Sequence, residues 1–180
     1  MAILSTPKGD VSIREATTED APSLYQLRLE ALRTNPEAFS ADVEKAEANG
    51  KETWVKRLTE YSQDQSGVII VASVASSLVG LAGIARGHSQ KTRHNGLVWG
   101  VYVSPEWRCL HIAEAMLQNI INWSREHGLI VLKLGVVTLN EPAIACYQRC
   151  GFSSYGIEPK SIYYGGIYYD EYLMARQIGD

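Results

Sequence analysis

The nine residues LIVLKLGVV, Leu129 to Val137, constrain this chain more than any other stretch. Only Lys133 among them carries a charge, so the segment has no face to give to water. A strand of that kind belongs at the centre of a sheet with helices on both faces. The flanks supply the helices. Upstream, Ile112, Ala113, Met116, Leu117, Ile120 and Ile121 form one apolar stripe at helical spacing, on a helix ending near His127–Gly128. Downstream, NEPAIACYQRCGF offers an Asn cap, a first-turn proline and a closing Gly151. Helix, buried strand and helix together predict a three-layer α/β/α domain on a mixed sheet.

The rest of the chain fits that plan. VSIREA (11–16) reads as a strand, and Thr17 or Thr18 caps the helix after it. Leu24, Leu27, Leu29 and Leu32 mark that helix, which stops before Pro36. Residues 40–49 are small and charged and read as a loop or a weak helix. Residues 53–61 read as a helix carrying Trp54, Leu58 and Tyr61 on one side. Val68–Val74 and Leu78–Arg86 form a hairpin, and a polar connection leads to a strand at Leu97–Val103. The segment after Gly151 reads as two strands around Gly165–Gly166. The expected order is β–α–α–β–β–β–α–β–α–β–β, in a single domain over residues 1–180.

Composition excludes several functions. A net charge of −3 with no concentrated run of Lys or Arg argues against nucleic-acid binding. The apolar run GVIIVASVASSLVGLAGIA is interrupted by serines and reads as two strands, not a membrane span. MAILSTPKGD has no basic start followed by a long apolar core, so no signal peptide is expected. Cys109, Cys146 and Cys150 have no CxxC spacing and read as reduced thiols of a cytoplasmic protein without a metal.

Chemistry concentrates at VYVSPEWRCLHIAEAML, residues 101–117. Pro105 stops the strand, and a helix opens just after Arg108. A helix amino end offers unpaired N–H groups and partial positive charge, which suits an anion such as phosphate. Gly100, inside the strand, is compatible with a bulge. Asn140 and Tyr147 lie seven apart, within about 20° of each other on one helix face.

The element order, this joint and NEPAIACYQRCGF together resemble a GNAT-superfamily N-acetyltransferase, from about Val11 to Met174. The family signature is Gln or Arg, two variable residues, Gly, one variable residue, then Gly or Ala. Here it falls on Arg108, Cys109, Leu110, His111, Ile112 and Ala113. Arg108 and Ala113 match; His111 replaces the first glycine, and Cys109 replaces a glycine common after the Arg. The resemblance implies acetyl-CoA as acetyl donor, its pyrophosphate held by the Arg108–Ala113 loop. It also implies a bulged strand whose N–H groups near Val101 and Val103 bind the acetyl carbonyl and the pantetheine arm. Three placements are open for the His111 ring: beside the cradle, narrowing it, or donating to phosphate.

By the same resemblance, Asn140 contacts the cofactor and Tyr147 is the general acid. A phenol titrates above a thiol, so it stays protonated at neutral pH and can protonate a departing thiolate. The expected reaction is direct attack by a primary amine of a small molecule or a protein. No acidic residue lies on the Leu97–Val103 strand, where many members place a base; His94, Glu30 and a water relay stay open. The aromatic hairpin with Tyr163, Tyr164, Tyr168 and Tyr169 offers part of an acceptor pocket, or a homodimer surface. The alternative is a module of the same fold that binds or senses a ligand, its catalysis lost with the loop glycines.

Overall fold

The computed structural model describes residues 2–179. Eight strands form one sheet: β1 (Ala2–Thr6), β2 (Gly9–Glu15), β3 (Gly67–Val74), β4 (Ser77–Arg86), β5 (Asn95–Val103), β6 (Val131–Val137), β7 (Ser153–Tyr164) and β8 (Ile167–Gln177). Five α-helices cover it: α1 (Ala21–Thr34), α2 (Val43–Asn49), α3 (Glu52–Asp64), α4 (Ile112–Glu126) and α5 (Glu141–Arg149). The strand order is β1-β2-β3-β4-β5-β6-β8-β7. Neighbours run antiparallel except β5 and β6, the one parallel pair, which α4 connects.

Two apolar layers sandwich the sheet, but β6 is not covered on both faces as its run predicts: Leu132, Leu134 and Val136 are buried, Val131 and Lys133 are half-buried and Gly135 is exposed. On one face, α4 packs Ile112, Met116, Leu117, Ile120 and Ile121 against Ile70, Ile84, Leu132 and Leu134. On the other, Leu24, Leu27 and Ala31 of α1 and Trp54 and Leu58 of α3 cover Ile69, Val71 and Leu81. β3 is therefore buried on both sides, and its β-branched GVIIVASV suits a pleated central strand. Ile120 is wholly buried; cutting it to alanine would cost about 2–5 kcal/mol, since so dense a layer cannot close over the void. Gly128, at φ +70°, ends α4 after His127 stacks on Trp123, ring centroids 4.1 Å apart.

The fold departs from the sequence reading in two further places and decides another, the loop or weak helix of residues 40–49. That reading begins at Val11, whereas β1 pairs with β2 through five residue pairs around a turn at Pro7–Lys8. β1 buries no residue fully, so pairing alone makes it a strand and no burial pattern announces it. Residues 43–49 form α2, a helix that likewise buries no residue. β6 starts at Val131; Leu129 fills the core from the preceding turn, its N–H donating to Ser124 O at 2.9 Å.

No helix among the described residues is long and apolar enough to cross a membrane. The three cysteines are free thiols, and among the described residues no cluster of metal-ligating side chains occurs.

Candidate active site

The parallel pair β5–β6 holds together only briefly. Asn95, Gly96 and Leu97 pair with Val131, Leu132 and Lys133, and beyond them the strands part. A bulge accompanies the parting. Gly83 faces Trp99 and Leu81 faces Tyr102, so Gly100 and Val101 together stand opposite Ala82. Gly100 takes φ +66°, a left-handed conformation that glycine adopts at no steric cost. The Ser104 N–H donates to Val79 O at 2.9 Å, toward β4. By the alternation of an antiparallel ladder, the Val103 N–H then points the other way, into the gap beside β6. Val101 lines the same gap.

That gap is a cleft of ≈ 830 Å³, within the size range of small-molecule sites. Its floor is β5 and β6, one wall is the amino end of α4, and the other is α5. The α4 wall is the Arg108–Ala113 loop. Cys109 and His111 adopt φ of +62° and +59°, so both replaced glycines sit in the left-handed region. An L residue held there carries a steric cost that glycine does not. Leu110 packs on the core and Ile112 is buried, so Ile112 faces the loop with its backbone only. Ala113 is small and lines the cleft.

The exposed His111 ring meets a carboxylate of its own helix at the edge of the cleft. Its Nδ1 is 2.6 Å from Glu114 Oε2, and the other Glu114 oxygen accepts from Arg149 Nε at 2.7 Å. Burial pushes the Glu114 carboxyl up, but the hydrogen bonds from His111 and Arg149 outweigh it and hold it below the ordinary value. Arg108 turns away from the loop: its Nε donates to Val103 O at 3.0 Å and one Nη to Asn35 Oδ1 at 2.8 Å. It thereby ties the end of β5 to the end of α1.

On the α5 wall, Asn140 caps the helix, its Oδ1 accepting the Ala143 N–H at 3.3 Å. Tyr147 is buried among core residues with its ring edge-on to Phe152, yet it lines the cleft. No group among the described residues hydrogen-bonds its hydroxyl. Burial, with Cys146 and Cys150 next, pushes the phenol well above its usual value, so it holds its proton throughout the neutral range.

A bulged strand parting from a parallel neighbour, a left-handed turn at a helix amino end and a buried phenol thus meet in one cleft. The model of the Acetyltransferase (GNAT) family matches residues 22–152. The chain belongs to the GNAT acetyltransferase family. It is 27% identical over 146 residues to an aminoglycoside N(6')-acetyltransferase type 1 of Stenotrophomonas maltophilia, covering 78% of this chain and 85% of that protein. It is 35% identical over 107 residues to an uncharacterized protein of Mycobacterium leprae, covering 59% of this chain but only 28% of that one. A GNAT-family acetyltransferase from Streptococcus pneumoniae superposes with a TM-score of 0.83 at 24% identity, over 94% and 99% of the two chains. A structure from Salmonella typhimurium, solved with its cofactor acetyl-CoA, superposes with a TM-score of 0.76 at 19% identity, over 94% and 95%.

Within this GNAT fold, two candidate bases lie off the cleft. His94 is exposed in the loop before β5, where its carbonyl accepts the Ile130 N–H. Glu30 accepts from Tyr102 Oη at 2.9 Å and Ser104 Oγ at 2.8 Å, bracing α1 against β5. The structure brings forward two residues that the sequence reading did not. Glu171 of β8 stands in register with Val137 and so shares the face of Gly135, which lines the cleft. Its carboxylate lies 3.1 Å from where a Gly135 Cβ would be, and Ser161 Oγ donates to it at 2.6 Å. Arg28 of α1 lies beside Gly100 on the same face. No local motif marks either residue; the pairing of β6 with β8 and the seating of α1 bring them in.

Proposed function

We propose that this chain transfers an acetyl group from acetyl-CoA to a primary amine by direct attack. The observation that carries this reading is the cleft itself, with an unpartnered, protonated Tyr147 hydroxyl on one side and the free amino end of α4 on the other. The residues present suit acetyl-CoA. The amino end of α4 and the backbone of Arg108–Ala113 offer N–H groups to its pyrophosphate. The left-handed φ of Cys109 and His111 supports a usable cradle without glycine, and weighs against a module that has lost the site. Backbone N–H groups of β5 near Val101 and Val103 would polarise the acetyl carbonyl.

Acetyl-CoA supplies the thioester carbon that the amine nitrogen attacks. As the N–C bond forms and the C–S bond breaks, Tyr147 Oη gives its proton to the departing sulfur and regains one from solvent. Glu171 is the carboxylate on the acceptor side of Gly135 and would take the proton the amine sheds, directly or through water. A cytoplasmic setting suits the free thiols.

Calorimetric titration of the purified protein with acetyl-CoA at moderate salt tests the reading. Binding in the micromolar range is expected, of the order usual for enzyme substrates. Absence of heat at millimolar acetyl-CoA would overturn it.

A further inference from the structure

The acceptor face of the cleft holds a cation without a counter-ion. Arg28 comes from the middle of α1, and its guanidinium lies 4.5 Å from the Phe39 ring centroid. Its Nη1 is buried without a hydrogen-bond partner, 3.8 Å from where a Gly100 Cβ would stand. Phe39 and Gly100 both line the cleft, so Arg28 sits immediately behind its lining at the bulge. The charge that acts on it is a second cation, Arg57, whose guanidinium lies 4.9 Å from the Trp99 ring centroid. Neither arginine forms an ion pair among the described residues, whereas Arg14, Arg33 and Arg149 all do. Burial, with Arg57 next, pushes Arg28 down to about 10, so it remains charged at neutral pH.

A buried guanidinium with idle donors costs folding free energy unless something supplies the missing acceptors. Glu30, on the same helix, is engaged with Tyr102 and Ser104, so the chain does not supply them from there. Planar, forked donors match a carboxylate. Across the acceptor face, Glu171 beside Gly135 offers the opposite charge, suited to an ammonium group.

We infer that the acceptor is a small amine that also carries a carboxylate, the carboxylate bound by Arg28 and the amine turned toward Glu171. The inference deepens the acetyltransferase reading and rests on it. It makes Arg28 a specificity-determining residue: it recognises the part of the acceptor that does not react. A site built to hydrogen-bond a substrate group rejects the analogue that lacks it, because its own buried donors are then left unpaired.

The test is acetylation, by release of free CoA thiol, of L-amino acids and ω-amino carboxylates, each beside its carboxamide. The pairs differ in charge and hardly in size. The expected result is a preference for the acids of about tenfold or more in kcat/KM. Arg28→Gln should collapse that acid-to-amide ratio toward one, and Arg28→Lys should restore part of it. Equal rates on acids and amides would overturn the inference while leaving the transferase standing. So would an Arg28→Gln variant that keeps the wild-type ratio, or a protein that binds acetyl-CoA and acetylates no acid of the series. Failure to bind acetyl-CoA in the parallel titration would bring down the transferase reading itself, and the acceptor inference with it.

Discussion

His111 Nδ1 lies 2.6 Å from Glu114 Oε2, so the residue that caps α4 is held by a carboxylate in the first turn of the same helix. The contact fixes the imidazole against its own helix, and both residues line the cleft. The substitution also carries a backbone cost, since His111 keeps φ at +59°.

Replacing His111 with glycine should therefore relieve strain. A left-handed L residue costs about 1–2 kcal/mol, of which loss of the exposed contact to Glu114 takes back a few tenths. His111→Gly should raise the melting temperature by about 2–4 °C and tighten acetyl-CoA binding. A weaker affinity would mean that the ring itself meets the phosphate.

Tyr147→Phe separates chemistry from packing. The ring contact with Phe152 survives, and the hydroxyl has no protein partner to lose. The variant should melt within about 1 °C of the parent while kcat falls by about 10²–10⁴-fold. A loss of stability with kcat intact would make Tyr147 a core residue alone.

The bulge can be tested at its glycine. An alanine Cβ at Gly100 would meet Leu81 Cδ1 at 3.4 Å and Arg28 Nη1 at 3.8 Å, both ordinary contacts, so space is not the difficulty. Its φ of +66° is. Gly100→Ala should cost about 1–2 kcal/mol, and relaxation of the bulge should raise KM for acetyl-CoA. Chemical denaturation and initial rates would report the two effects separately.

Arg14 and Asp20 form a two-pronged pair, at 2.7 and 2.8 Å, that ties β2 to the start of α1. The hydrogen bond from Arg14 is the main reason Asp20 titrates below its ordinary value of 3.8. A carboxylate whose folded value is depressed stabilises the protein above its unfolded value, and that contribution fades as pH falls through the folded one. Asp20→Asn should thus cost about 1 kcal/mol at pH 7, discounted for partial exposure, and much less near pH 2. Melting curves of both proteins across that range should converge on the acid side.

Sequence made the core elements legible because burial leaves a period behind. The α4 stripe carries one, and the β6 run is long and apolar enough to mark a strand without one; β1 and α2 bury nothing fully and carry neither signal. Gly100 was legible as a bulge because glycine within a strand has few other uses. The left-handed φ of Cys109 and His111 is not written in those residue types, and only their place in a family pattern hints at it. Arg28 and Glu171 were beyond reach for another reason. Each lies more than thirty residues from the strand it serves, and only the assembled sheet brings them to one face.

The parting of β5 from β6 has a thermodynamic consequence. Past Leu97 and Lys133, the facing edges of these strands present main-chain groups to solvent inside a single sheet. The unfolded chain has no such edges in register, so a molecule that engages them binds only the native state. Its affinity must then appear as resistance to heat, growing with the logarithm of its concentration. A melting curve can serve as a census of what this seam accepts, acceptors as well as cofactor, before any turnover is observed.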